Sequence, residues 1–242
     1  MSLDQASIRL VLLRHGQSVW NHEGRFTGWS DVALSARGEA EARRAGVILK
    51  QCGFTFDACF TSELKRAQNT LARIQSVMRS GHLPVYRDWR LNERHYGALE
   101  GLRRFDAVRQ FGIRPVLDCQ LRFDSVPPLL AIEDPRAPAN QPCYASIDRT
   151  CLPLAESLHQ TLYRVLPLWQ GAILPEIQKG RQLLIVSHKN LLKTLMMQLE
   201  GLTHWQAMRL PITTGKPLCY ELDAQLKPVR RYYLVASDRH LL

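Results

Sequence analysis

Arg14-His15-Gly16 closes a run of leucine and β-branched residues at 8–13. A neutral imidazole held at the end of a buried strand is a competent nucleophile. The neighbouring guanidinium suits an anionic electrophile, and glycine lets backbone approach a ligand closely. A second histidine, His188, ends a similar apolar run at 182–187. Taken alone, either histidine reads equally well as a structural residue with satisfied hydrogen bonds. The choice rests on the elements around them.

Those elements alternate. The runs at 8–13, 56–61 and 182–187 read as buried strands. Residues 34–51 form a helical pattern with Ser35 as N-cap and Gly53 just past the end. Residues 63–79 carry apolar residues at helical spacing and stop before Gly81, and 191–199 continue as a helix after His188. Alternating strands and helices predict a three-layer α/β domain, a mostly parallel sheet with helices on both faces. Ligands in such sheets sit beyond the carboxyl ends of the strands, where both histidines fall. Between 112 and 153 the pattern breaks. Seven of the thirteen prolines lie there, and the stretch reads as a Pro-rich insertion without periodic structure, an excursion over the sheet within one domain spanning 1–242.

Composition narrows the partners. With 32 Lys+Arg against 22 Asp+Glu the formal charge is +10, which favours an anionic ligand. Residues 87–122 mix eight arginines with five carboxylates, so no basic tract marks nucleic acid. No apolar run approaches the ~20 residues of a membrane span, and Met1-Ser2-Leu3-Asp4 lacks the pattern of a secretory leader. The six cysteines are scattered without a C-x-x-C pair or clustered histidines, which predicts no metal site and a reducing, cytoplasmic setting.

The first motif has a longer context. Gln17-Ser18-Val19-Trp20-Asn21 follows it, then Arg25-Phe26-Thr27-Gly28-Trp29. Thr61-Ser62-Glu63-Leu64-Lys65-Arg66-Ala67 comes next, and then Leu91-Asn92-Glu93-Arg94-His95-Tyr96-Gly97-Ala98-Leu99-Glu100-Gly101-Leu102. Ser187-His188-Lys189-Asn190 and Leu210-Pro211-Ile212-Thr213-Thr214-Gly215-Lys216-Pro217 complete the set. In this order, from about Ile8 to about Leu234, the chain resembles the cofactor-dependent phosphoglycerate mutases, the branch of the histidine phosphatase superfamily primed by 2,3-bisphosphoglycerate.

The resemblance implies a cytoplasmic glycolytic isomerase interconverting 3-phosphoglycerate and 2-phosphoglycerate, with no metal. It makes His15 the phosphorylated residue, with Arg14, Arg66 and His188 around the phosphoryl group and Glu93 as general acid/base. A cationic clamp is what phosphoryl transfer needs, since charge spreads over the equatorial oxygens. Asn21, Thr27, Gly28, Arg94, Tyr96, Arg103, Arg104 and Asn190 match binding positions. In isolation Glu93 would read as a surface ion pair and Arg66 as part of a solvated helix face. Trp20 and Trp29 read as packing residues, and His22, His82, His95, His159 and His204 as structural or surface groups. Homodimers and homotetramers are common in the family.

Three departures stand out. Arg103-Arg104 replaces the family's Asn-Lys, Gln120-Leu121 falls where an arginine pair is expected, and Lys189 replaces a glycine after His188. Lys189 and Arg103 are therefore expected to supply part of the missing cationic contact. Family members also often carry a longer tail than the seven residues at 236–242. A loss of grip on the ligand leaves two other readings open: a phosphatase of the same superfamily acting on small phosphorylated metabolites, and a non-catalytic binding protein.

Overall fold

The computed structural model describes residues 8–235. The expectations for the leader at 1–4 and for the tail at 236–242 lie outside the described residues. In chain order the elements are β1 (Ile8–Arg14), α1 (Val19–Glu23), α2 (Ala36–Gln51), β2 (Ala58–Thr61), α3 (Lys65–Met78) and β3 (Val85–Arg87). Then come α4 (Arg104–Phe111), α5 (Ile113–Leu121), α6 (Leu158–Leu168), α7 (Leu174–Gln178), β4 (Leu183–Ser187), α8 (Lys189–Glu200), α9 (His204–Arg209), β5 (Leu218–Leu222) and β6 (Pro228–Tyr233).

The strands form one sheet in the order β3-β2-β4-β1-β5-β6. Because side chains alternate along a strand, β1 splits its apolar run between two cores. Leu10 and Leu12 pack with α6, α7 and α8 on one face, while Val11 and Leu13 pack with α2 and α3 on the other. This is the three-layer α/β arrangement. The sheet is mixed: β1, β2, β3 and β4 pair in parallel, but β5 and β6 extend it antiparallel beyond β1.

Local chemistry accounts for the boundaries. Ser35 caps α2 by accepting from the Gly38 N–H, as its position suggested. Ser157 and Gln160 form a reciprocal capping box that starts α6. The expectation of an unstructured 112–153 segment is corrected. Its first part is α5, and three short 3₁₀ turns follow at Pro138–Asn140, Pro142–Tyr144 and Arg149–Cys151. Pro115 obscured the helix, yet it stands in the first turn, where a missing N–H costs no intrahelical bond. The segment is fastened to the 92–100 block: the Ala98 N–H donates to the Pro128 carbonyl, and Arg136 donates to the Glu100 carbonyl.

The glycine of Arg14-His15-Gly16 serves packing rather than ligand approach. A Cβ on Gly16 would lie 2.3 Å from the Gly38 carbonyl oxygen, and one on Gly38 would lie 2.0 Å from the Gln17 carbonyl oxygen. The two backbones interlock and set the loop after β1 against the start of α2. Gly38→Ala should therefore cost about 1–3 kcal/mol in urea unfolding. Gly171→Ala, whose Cβ would meet nothing within 4 Å, should cost far less. Equal stability of the two variants would show that the interlock does not constrain the loop.

Candidate active site

Strand register brings the two histidines together. In the parallel pair β1–β4, Arg14 lies opposite Ser187, and the His15 N–H donates to the Ser187 carbonyl at 2.9 Å. The next residues along, His15 and His188, leave the sheet side by side with ring centroids 4.9 Å apart. On the other side of β4, β2 delivers Ser62, whose Oγ is 2.8 Å from His188 Nε2.

One ring proton is assigned by its contact. His15 Nδ1 lies 2.6 Å from the Gly16 carbonyl oxygen, which can only accept, so the proton is on Nδ1 and Nε2 keeps its lone pair. Ser62 Oγ accepts from the Leu64 N–H and shares a hydrogen bond with His188 Nε2. The other ring nitrogen of His188, Nδ1, is buried with no partner. Burial, followed by the fields of Arg66 and Arg14, holds His15 well below the ordinary histidine range. His188 is depressed in the same way, by burial first and then by Arg66 and His15. Both rings are neutral at physiological pH, as a nitrogen nucleophile and a neutral donor require.

The cations complete the cluster. Arg66, 1 % exposed, donates to the Gly28 and Ser30 carbonyls, and burial lowers it to about 10. Gly28 itself has φ +51°, and a Cβ there would meet Glu100 Oε1 at 1.8 Å. Arg14 donates to the Ile212 carbonyl and is also lowered, chiefly by burial. The Nε of each arginine is buried without an acceptor. Two orphaned guanidinium donors and an unpartnered ring nitrogen, buried close to His15, describe a place for a tetrahedral anion, because buried polar groups are otherwise paired.

Glu93 faces the same cavity of about 340 Å³. Its Oε1 accepts from the Arg94 N–H at 2.9 Å and the Asn190 N–H at 3.1 Å, while Oε2 is held only at 3.5 Å. Asn21, Thr27, Gly28, Tyr96, Arg104, Lys189 and Asn190 also line the cavity. Asn190 donates to the Tyr96 hydroxyl, and burial pushes that hydroxyl up to about 12. Arg94 touches the cavity, but its guanidinium donates to the Glu156, Cys119 and Ser125 carbonyls, so its work here is to tie α5 and the following turn to the 92–100 block. Arg103 is exposed and stands outside the cavity wall, whereas Gln120 and Leu121 are part of it.

Comparison with known proteins gives the family. Residues 10–129 match the histidine phosphatase superfamily, branch 1. A 2,3-bisphosphoglycerate-dependent phosphoglycerate mutase 1 of Nitrosomonas europaea is 68% identical over 95% of this chain and 98% of its own. The chain belongs to the 2,3-bisphosphoglycerate-dependent phosphoglycerate mutase family. A second family member, from Hamiltonella defensa, is 45% identical over 93% of this chain and 91% of its own. Among solved structures, a mycobacterial glucosyl-3-phosphoglycerate phosphatase shares the fold with a TM-score of 0.70 at 24% identity, over 96% of this chain and all of that one.

For a member of this mutase family, several residues of the site escaped the sequence reading. Ser62 hydrogen-bonds His188 Nε2, and Arg25 and Lys193 line the cavity. Arg164 and Glu156 lie behind Glu93: Arg164, ion-paired to Glu156, donates to the carbonyls of Trp89, Arg90, Asn92 and Glu93. A lysine in the otherwise apolar run 191–196 was the one visible signal, at helical i, i+4 spacing from Lys189.

The neutral histidines set a pH dependence. Unfolded imidazole takes up a proton near pH 6.5, while His15 and His188 in the fold resist it. Below about pH 6.5 the unfolded state therefore binds more protons and stability falls. Thermal melts of the ligand-free protein should lose stability between pH 7 and 5, and His188→Gln should lessen that slope. NMR titration should find both rings protonating well below 6.5, and a normal midpoint would contradict the assignment.

Proposed function

We propose that this chain isomerises 3-phosphoglycerate and 2-phosphoglycerate through a phosphoryl group carried on His15 Nε2. The observation that carries this reading is the pair of orphaned guanidinium donors of Arg14 and Arg66, with the unpartnered Nδ1 of His188, beside a neutral imidazole whose Nε2 is unprotonated. Those donors suit a phosphoryl group, and Lys189, Lys193 and Arg104 add positive charge along the cavity wall. These residues fit 2,3-bisphosphoglycerate. When bound, that molecule supplies the phosphoryl group that loads His15.

The chain's own residues do the rest. His15 Nε2 forms a P–N bond as the P–O bond of the donor breaks, and the departing oxygen takes a proton from Glu93. In the return step a substrate hydroxyl attacks phosphorus, the P–N bond breaks, and Glu93 takes the hydroxyl proton. Oε2, the less engaged carboxylate oxygen, is the atom placed to move that proton. Arg14, Arg66 and His188 Nδ1 stabilise the charge spread over the equatorial oxygens, in a buried site where such contacts are strong. Thr27, Gly28, Asn21 and Tyr96 shape the space for a three-carbon acid.

A second reading has one observation behind it. Gln120 and Leu121 leave one wall of the cavity uncharged, which favours escape of a bound intermediate and net hydrolysis by water. We place the protein in the cytoplasm, in keeping with its six free cysteines and the substrate class. Among the described residues no helix is long and apolar enough to cross a membrane.

A coupled mutase assay with and without 2,3-bisphosphoglycerate, with released phosphate followed in parallel, tests both readings. Activity should depend on the bisphosphate, His15→Ala should abolish it, and Glu93→Gln should lower kcat by about 10²–10⁴-fold. Full mutase activity after complete removal of the bisphosphate would refute the mechanism. Phosphate release outpacing isomerisation would favour the phosphatase.

A further inference from the structure

Lys193 adds charge to the cavity wall, but the proposed chemistry gives it no specific contact. It is 5 % exposed and lies on α8 one turn beyond Lys189, so the two side chains share a face. Its ammonium donates to the Met208 carbonyl of α9, which occupies one of three protons. Neither Lys189 nor Lys193 has a carboxylate within ion-pairing distance among the described residues. Burial, then the neighbouring Lys189 charge, lowers Lys193 to about 8, and Lys189 is lowered by burial and by Arg14. A buried ammonium beside a second, exposed one, with only the field of Glu93 to offset them, is costly. A ligand that brings the missing negative charge relieves that cost.

We infer that Lys189 and Lys193 form the seat for the second anionic group of the ligand, the carboxylate or phosphate remote from His15. This rests on the phosphoglycerate reading above. The structure puts Lys193 in the place where the sequence had suggested Arg103, since Arg103 lies outside the cavity. Gln120 and Leu121, which line the same cavity, are uncharged, so the lysine pair carries the anion, with Arg25 and Arg104 as the further cations of the wall. An ammonium is a point charge with rotatable donors, unlike the planar guanidinium fork. A seat of two ammoniums therefore accepts a carboxylate and a phosphate with little preference, which suits a ligand whose ends must exchange places.

Binding and kinetics test this separately from the mutase reading. Kd values for 2,3-bisphosphoglycerate, with two phosphates, and for inorganic phosphate, with one, are measured on wild type, Lys193→Met, Lys189→Met and Lys193→Arg. The methionine variants should lose about tenfold to a hundredfold in bisphosphate affinity. Their loss for inorganic phosphate should be at least tenfold smaller, and Lys193→Arg should recover most of the bisphosphate affinity. KM for 3-phosphoglycerate should rise in the same pattern, with kcat changing less. Equal losses for both ligands would assign the lysines a structural or general-field role and overturn the seat. No loss for either ligand, or a wild type that does not prefer the bisphosphate, would overturn it as well. If wild type binds the bisphosphate through the lysines yet fails to isomerise, the mutase reading fails and the seat stands.

Discussion

Positive charge is buried around His15 without an equal amount of negative charge, and the rest of the site follows from that constraint. Among the described residues, five arginines and two lysines line the cavity, and Glu93 is its one carboxylate. Burial of the rings, reinforced by the fields of Arg66 and Arg14, raises the energy of an additional proton, so the imidazoles stay neutral and the His15 lone pair survives. The same desolvation makes each remaining donor strong toward an incoming anion. Nucleophile, electrophile selectivity and ligand affinity therefore share one physical origin.

Carboxylates are not scarce nearby. They are turned to other work. Glu100 accepts from the backbone N–H groups of Trp29, Ser30 and Tyr96, and so holds the 27–30 loop against the 92–100 block. Glu156 accepts from the His95 N–H and pairs with Arg164 beneath the site. Bonding these acids to backbone fixes loop geometry and keeps them out of the cavity. The uncompensated field that the chemistry uses thus depends on where the acids are directed as much as on the number of arginines.

The strands that deliver His15 and His188, and the helix that carries Arg66, were legible because buried parallel strands read as continuous apolar runs and end abruptly. Their side-by-side placement followed from the expectation that ligands sit beyond the carboxyl ends of such strands. Other features were hidden for physical reasons. The antiparallel addition of β5 and β6 depends on long-range pairing that no local pattern announces. Helix α5 was concealed by Pro115, which breaks a helix in its interior but fits its first turn. Arg94 matched a binding position by motif, yet three carbonyls occupy its guanidinium, and motif spacing cannot reveal competition for donors. Arg164 was invisible because its partners are main-chain oxygens, which every sequence has.

Arg164 also links the site to the fold's cooperativity. One side chain on α6 gathers carbonyls from Trp89, Arg90, Asn92 and Glu93, while the indole of Trp29, with the Arg164 guanidinium over its ring, donates to the same Glu93 carbonyl. The segment bearing Glu93, the proposed general acid/base, has little regular structure of its own, so its order is borrowed from a helix far along the chain. Opening of that segment and detachment of α6 must then be one event, with amide protons in both exchanging at a shared rate. Glu93 sits on an irregular loop in sequence terms, and within a core-like unit in energetic ones.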